Sequence, residues 1–159
     1  GGQFVFSVNF IKFVFSDEKR NEFLLRTVPE YNAAITVNQR LSKNDKVLFF
    51  PRQITYFLKI PNYIGARHRQ ALVDFRPTYF NDLKLLAQLN KQQITHILIK
   101  RNSESIPNSF VPRLLRAGCG TKLESIYIST FSSRTLTQDK QTSEQMDLIK
   151  ILNHNCKNI

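Results

Sequence analysis

Short apolar runs separated by longer amphipathic segments dominate the hydrophobic pattern of this chain. Residues 47–50 are four apolar residues in a row beside turn-forming and proline residues, which is typical of a strand buried on both faces. Residues 94–100, with the sequence ITHILIK, form the clearest strand pattern, and residues 123–129 alternate apolar and polar side chains. Residues 71–75 are a shorter candidate. We therefore predict strands at these places along the chain.

The intervening segments carry apolar residues at helical spacing. Ser16 is a favourable N-cap, and Asp17 and Glu18 would then lie in a first helical turn, where the helix dipole favours acidic side chains. Gly118 is a natural helix stop, because glycine readily adopts the left-handed conformation found there. We predict helices over residues 17–27, about 29–41, 78–91, 110–117 and 143–152.

Residues 52–60 fit two patterns. Alternate positions are apolar, as in an edge strand, but Ile54, Phe57 and Leu58 also lie on one face of a short helix. We favour the helix, because it separates the strand at 47–50 from the one at 71–75. Strands separated by helices predict an α/β fold, here a small three-layer Rossmann-like sandwich with a mostly parallel sheet of four to five strands.

The chain divides into a short leading segment and one domain. Residues 4–15 are strongly apolar but shorter than the ~18 residues of a membrane span, so we interpret residues 1–15 as a juxtamembrane segment or linker. Residues 16–159 are long enough for a single α/β domain with its own core. Within it, residues 132–143 are rich in Ser and Thr, and we expect them to be mobile.

The balance of charge is strongly basic. The net charge is +11, and residues 42–100 hold ten Lys or Arg against three Asp or Glu. Such an excess fits nucleic acid, an anionic membrane surface or a phosphate-bearing ligand, and it equally fits a solvated basic surface. Charge alone therefore leaves the partner open.

The densest basic stretch supplies the candidate site. We predict that Arg52, Arg67, Arg69 and Arg76 bind an anion or a lipid phosphate, because a guanidinium forms bidentate hydrogen bonds with phosphate. Asp74 ends a predicted strand, at the edge of an α/β sheet where ligands gather. Its alternative role is an ion pair with the neighbouring arginine.

Other chemistry is sparse. The chain has no glycine-rich phosphate loop and no Cys or His at metal-ligand spacing, so we expect no cofactor, no metal and no catalytic residue. We interpret His96, inside the 94–100 strand, as a core or sheet-face histidine rather than a catalytic base. Cys119 and Cys156 either close a disulfide across 37 residues in an oxidising compartment, or remain thiols in a reducing one.

Several segments, taken in order, resemble a known family over residues 16 to about 130. They are FLLRTVPEYNAAITVNQ, KVLFFPRQITYFL, LVDF, QQITHILIK and LESIYIST. Their order resembles the soluble C-terminal domain of GT-C type membrane glycosyltransferases, the dolichyl-phosphate-mannose-protein mannosyltransferase-like family. In that family the catalytic acid lies in an external loop near the first membrane helices, so the resemblance places no catalytic residue in this chain.

The resemblance implies a location and partners. This chain would follow the last membrane helix of a polytopic parent on the extracytoplasmic face, which is the periplasmic face in a bacterium. Residues 4–15 would be the juxtamembrane segment, and the partners would be the membrane surface, the transmembrane part of the parent, and a lipid-linked sugar or acceptor. That compartment also permits the disulfide.

A second hypothesis comes from the charge alone. A free-standing basic α/β module could bind nucleic acid, with salt-dependent affinity for single strands as its signature. We favour the glycosyltransferase hypothesis over nucleic acid, because the ordered resemblance supports it.

Overall fold

A computed structural model describes residues 19–50, 52–65, 72–73, 81–101, 110–130, 142–157 and 159. Four α-helices and five strands lie in these ranges, together with a 3₁₀ helix at Arg52–Phe57. The helices are α1 (Arg20–Thr27), α2 (Tyr31–Arg40), α3 (Asp82–Lys91) and α4 (Phe110–Arg116). The strands are β1 (Val47–Phe49), β2 (Asn62–Ile64), β3 (His96–Lys100), β4 (Gly120–Thr130) and β5 (Thr142–Ile151).

The strands form one mixed sheet in the order β2-β1-β3-β5-β4. Strand β1 is parallel to β2 and to β3, whereas β5 is antiparallel to β3 and to β4. The antiparallel pairs are longer than the parallel ones, and the longest is the pair of β4 with β5. The prediction of an α/β fold is therefore confirmed, and the prediction of a mostly parallel sheet is wrong.

Helices cover both faces of the sheet and create two cores. On one side, which we call the α2 face, Ala33, Ala34 and Val37 of α2 pack with buried side chains of all the strands but β2. On the other side, which we call the α3–α4 face, Leu89 of α3 and Leu114 of α4 belong to the second core. Burial of each such leucine stabilises the fold by about 1.5–3 kcal/mol.

The two crossovers of the parallel half use opposite faces. The connection from β1 to β2 contains the 3₁₀ helix, whose Ile54 lies in the core of the α2 face. The connection from β2 to β3 contains α3, which packs on the other face. The first connection runs from β1 outward to β2, and the second runs back from β2 past β1 to β3. Two connections that cross opposite faces in opposite directions have the same hand. This agreement is expected from the strong preference for a single hand of crossover.

Strand β5 replaces the helix predicted over residues 143–152. Met146 and Leu148 belong to the core of the α2 face, whereas Ile149 and Ile151 belong to the core of the α3–α4 face. A strand inside the sheet buries both of its faces, so its apolar residues need no alternation with polar ones. The helical spacing ending at Leu152 was misleading, since that side chain is 55% exposed.

Two helices begin later than the sequence predicts. Lys19 has an extended backbone, so α1 starts at Arg20 instead of residue 17. Asn81 is also extended, and its side chain accepts hydrogen bonds from the backbone N–H groups of Leu83 and Lys84, so α3 starts at Asp82 instead of residue 78. An asparagine that satisfies these free N–H groups is a strong N-cap.

The remaining predicted elements fall into two groups. The helices at about 29–41 and 110–117, the short helix at 52–60 and the strands at 47–50, 94–100 and 123–129 are confirmed, the first with its start at Tyr31 and the last as part of a longer strand. Gly118 has a φ of +68° and ends α4 as expected. In the candidate strand at 71–75 only Leu72 and Val73 are described, and neither lies in a strand. Residues 1–18 and most of 132–143 lie outside the described residues.

Candidate functional site

Most of the residues predicted to bind an anion lie outside the described residues. This holds for Arg67, Arg69 and Arg76, and also for Asp74, the candidate for a ligand contact at the sheet edge. The backbone of Arg52 opens the 3₁₀ helix, but its side chain is outside the described part as well. The proposed anion site at these residues therefore stays a prediction.

A cleft lies where α1, α2 and the 3₁₀ helix meet, and we call it the α1–α2 cleft. Its volume is about 550 Å³, which is within the range of about 300–1,000 Å³ that is typical of small-molecule sites. Aromatic, amide and basic side chains line it together with a few aliphatic ones. The lining residues are Arg20, Asn21, Leu24, Tyr31, Ile35, Asn38, Gln39, Tyr56, Phe57, Leu58 and Lys59.

Asn38 holds one wall of the α1–α2 cleft in place. Its Nδ2 donates a hydrogen bond to the carbonyl oxygen of Phe57 at 2.7 Å, and its Oδ1 accepts one from the backbone N–H of Lys59 at 2.8 Å. Both ends of the amide are thus used within the chain. Asn38 therefore fixes the end of the 3₁₀ helix against α2.

Tyr31 connects the other walls. Its hydroxyl donates to Oδ1 of Asn21 at 3.0 Å, which joins α2 to α1. Its ring meets that of Phe57 edge to face, with 4.9 Å between the ring centroids. Such aromatic pairs contribute about 0.5–1.5 kcal/mol beyond the area that they bury. The three elements around the cleft are therefore linked by specific side-chain contacts.

The lining of the α1–α2 cleft is basic. Arg20 and Lys59 belong to it, and no described Asp or Glu does. Neither the guanidinium of Arg20 nor the ammonium of Lys59 forms a hydrogen bond or ion pair with another described residue. The ring of Tyr56 lies at the same cleft and is 88% exposed. The cleft therefore presents positive charge and an accessible aromatic ring to solvent.

Four other basic side chains of the described part are paired with carboxylates. Lys100 lies 3.3 Å from Glu30 and 3.0 Å from Glu144, which together raise its pKa although burial alone would lower it. The remaining pairs are Arg40 with Glu124, Arg101 with Asp147, and Arg113 with Asp82. These four cations are already neutralised, whereas Arg20 and Lys59 have no carboxylate partner among the described residues.

His96 is a core histidine, as the sequence suggests. It is 3% exposed, and its Nδ1 lies 2.8 Å from the Thr95 hydroxyl and 3.7 Å from Oδ1 of Asp45. Burial lowers the pKa of His96, Asp45 raises it in part, and Lys150 lowers it further. The ring is therefore neutral near pH 7, with the hydroxyl of the adjacent Thr95 as its hydrogen-bond partner.

The two cysteines are joined in a disulfide. The Cα atoms of Cys119 and Cys156 are 6.0 Å apart, and both residues are buried beside Leu114 in the core of the α3–α4 face. The segment after β5 also contacts this point through its backbone, because the N–H groups of Leu152 and Asn153 donate to the carbonyl of Cys119. The bridge therefore ties the end of the chain to the start of β4.

The described part of the chain contains neither a cluster of metal-binding side chains nor a helix that could span a membrane. There, no three His, Cys, Asp or Glu side chains come together as ligands for a metal ion. The helices that the structure describes are too short and too polar to cross a membrane.

Comparisons with protein families, with curated proteins and with solved structures found no match. The α1–α2 cleft was missed in the sequence because its walls come from segments about twenty residues apart. One signal was present: residues 23–39 and 46–58, the two longest segments of the resemblance, contain most of the cleft.

Proposed function

We propose that this chain is a non-catalytic, extracytoplasmic domain of a polytopic membrane glycosyltransferase. The parent would transfer sugar from a polyprenyl-phosphate carrier, and this domain would help to position the acceptor or the lipid-linked donor. The ordered resemblance over residues 16 to about 130 supports this function. The α1–α2 cleft supports a positioning role, because it lies at α1, the first described helix after residues 1–15, which would adjoin the membrane.

The disulfide is the observation that carries the proposal. Cys119 and Cys156 are the only cysteines of the chain, and the fold brings both together in a buried bridge. Structural disulfides persist in oxidising compartments and are rare in the cytosol of most organisms. The bridge therefore favours the extracytoplasmic hypothesis over a cytosolic module that binds nucleic acid.

The proposal includes a Rossmann-like relationship for one half of the sheet. Strands β2, β1 and β3 are parallel, and their connections contain helices on opposite faces. That arrangement supports a doubly wound half, to which the β4–β5 hairpin adds an antiparallel edge.

A topology experiment on the full reading frame tests the proposal. Alkaline phosphatase fused after Ile159 should be active, and a green fluorescent protein fused at the same place should stay dark. The reading frame upstream should encode many hydrophobic spans. In unbroken cells, a thiol reagent should modify Cys119 and Cys156 only after reduction.

The opposite pattern would overturn the proposal. A fluorescent fusion, free thiols and an upstream region without hydrophobic spans would favour the free-standing module instead. Binding of a single-stranded oligonucleotide that weakens steeply with salt would then identify its ligand.

A further inference from the structure

We propose that the α1–α2 cleft binds an anionic saccharide, meaning a sugar ring that carries a phosphate or carboxylate group. This inference is drawn from the cleft itself and does not need the membrane-bound parent of the proposed function. It also rests on other residues than the predicted anion site, whose arginine side chains lie outside the described part of the chain.

The charge of the cleft calls for one anionic group. Arg20 and Lys59 line the same cavity, no acidic side chain of the described residues does, and neither charged group is paired with another described residue. A guanidinium offers a planar pair of donors to phosphate or carboxylate, and an ammonium adds a compact charge beside it. Two cations are suited to a single anionic group rather than to a run of backbone phosphates.

The uncharged lining matches a sugar ring. Gln39 is exposed, and the Nδ2 of Asn21 remains a donor while its Oδ1 accepts from Tyr31. Amides both donate and accept hydrogen bonds, as sugar hydroxyls do. The ring of Tyr56 is 88% exposed, and an aromatic face can pack against the C–H face of a sugar while its hydroxyl stays in water.

The cleft is also organised before any ligand arrives. Asn38 and the Tyr31–Phe57 pair hold α2 against the 3₁₀ helix, and Tyr31 holds α1 through Asn21. Walls that are already fixed lose little conformational entropy when a ligand binds. Binding would then order mainly the exposed side chains of the lining, among them those of Arg20, Gln39, Tyr56 and Lys59.

Titration of the isotope-labelled 159-residue chain, followed by NMR, tests the inference. The probes are glucose 1-phosphate, glucuronate, glucose, inorganic phosphate and adenosine monophosphate. We expect glucose 1-phosphate and glucuronate to shift the backbone amides of Asn21, Gln39 and Lys59. Each should bind about tenfold more tightly than glucose or phosphate alone, because only the anionic sugars use both parts of the cleft.

Matched variants separate the cleft from general surface effects. Lys59→Gln should weaken binding of glucose 1-phosphate about fivefold, as expected for one partly exposed ion pair, and Tyr56→Ala should weaken glucuronate and glucose 1-phosphate alike. The controls are Lys91→Gln, an exposed lysine on α3 across the sheet, and Tyr127→Ala, a tyrosine of β4 that is 61% exposed. Neither control should change binding.

Several results would overturn the inference. These are no shift at millimolar ligand, shifts that map away from the cleft, equal losses in the control variants, or tighter binding of adenosine monophosphate than of glucose 1-phosphate. The last result would identify a nucleotide site.

A second arm separates the possible sources of the ligand. Binding to phosphatidylcholine vesicles only when they carry a polyprenyl-phosphate-linked sugar would identify a lipid-linked saccharide. Binding of the soluble probes alone would identify a free one. If the topology experiment fails while the anionic sugars bind, the proposed function is wrong and the cleft assignment stands. If the topology is extracytoplasmic and no saccharide binds, the reverse holds.

Discussion

Removal of the disulfide between Cys119 and Cys156 should destabilise the chain by an amount that follows from the length of the loop that the bridge closes. The bridge spans a sequence separation of 37 residues, for which the loss of chain entropy in the unfolded state corresponds to about 4 kcal/mol at 25 °C. Both residues are buried, so alanine is the better replacement, since serine would bury a hydroxyl. We expect the Cys119→Ala/Cys156→Ala double variant to lose about 3–4 kcal/mol in free energy of unfolding.

Urea denaturation followed by circular dichroism measures this loss. The wild-type chain in oxidising buffer should have the highest midpoint, and a reductant should lower it to that of the double variant. The double variant should not respond to reductant, and each single variant should match it. In a thermal scan, the same difference corresponds to a Tm lower by about 10 °C for a chain of this size.

Two results would refute the reasoning. If native wild-type chain in oxidising buffer reacts fully with a thiol reagent, the cysteines are not bridged in solution. If the bridge forms but its removal changes the free energy of unfolding by less than about 1 kcal/mol, then the unfolded chain is already compact around this loop.

Three further predictions test the core, the cleft and the buried histidine. Leu148→Ala should lower the free energy of unfolding by about 2–5 kcal/mol, because it truncates a buried strand residue, whereas the exposed Leu152→Ala should change it by under about 1 kcal/mol. Urea denaturation measures both values, and equal losses would instead favour the helical pattern. Asn38→Ala should lower the free energy of unfolding by about 1–3 kcal/mol, because two hydrogen bonds are lost. The control Gln39→Ala should leave it nearly unchanged. Equal losses in the two variants would contradict the role given to Asn38. Burial lowers the pKa of His96 in the folded chain below its usual 6.5. As the pH falls, the unfolded chain is therefore protonated at His96 before the folded chain is. The contribution of neutral His96 to stability is complete above pH 6.5 and is lost as the pH falls towards the folded pKa. An NMR titration of the ring should give a midpoint below 6.5, and a higher midpoint would contradict this.

Local patterns were sufficient where a segment has one way to bury its apolar residues. Residues 47–50 and 94–100 are short apolar runs with turn signals beside them, and both became strands of the sheet interior. Gly118 ended its helix at a positive φ that side chains with a Cβ rarely adopt. These predictions needed no partner segment, since backbone preference and periodicity already favoured one answer.

Periodicity failed where two periods fit the same residues. In the stretch that became β5, Met146, Ile149 and Leu152 have helical spacing, while Met146 with Leu148 has the spacing of a strand. Only the partners on each side decide between them: β3 pairs with one edge of β5 and β4 with the other. The same pairing made half of the sheet antiparallel.

The properties of the candidate site also fall into those that the sequence predicts and those that only the fold decides. The amino-acid sequence by itself determined the α/β class, the basic charge and the availability of two cysteines for one bridge, because these follow from composition and from short-range preference. Only the tertiary structure decided that Cys119 meets Cys156, that Lys100 is neutralised by Glu30 and Glu144, and that α1, α2 and the 3₁₀ helix enclose a cleft. Each of those outcomes depends on contacts between distant segments, which the pairing of strands and the packing of helices establish and no local pattern encodes.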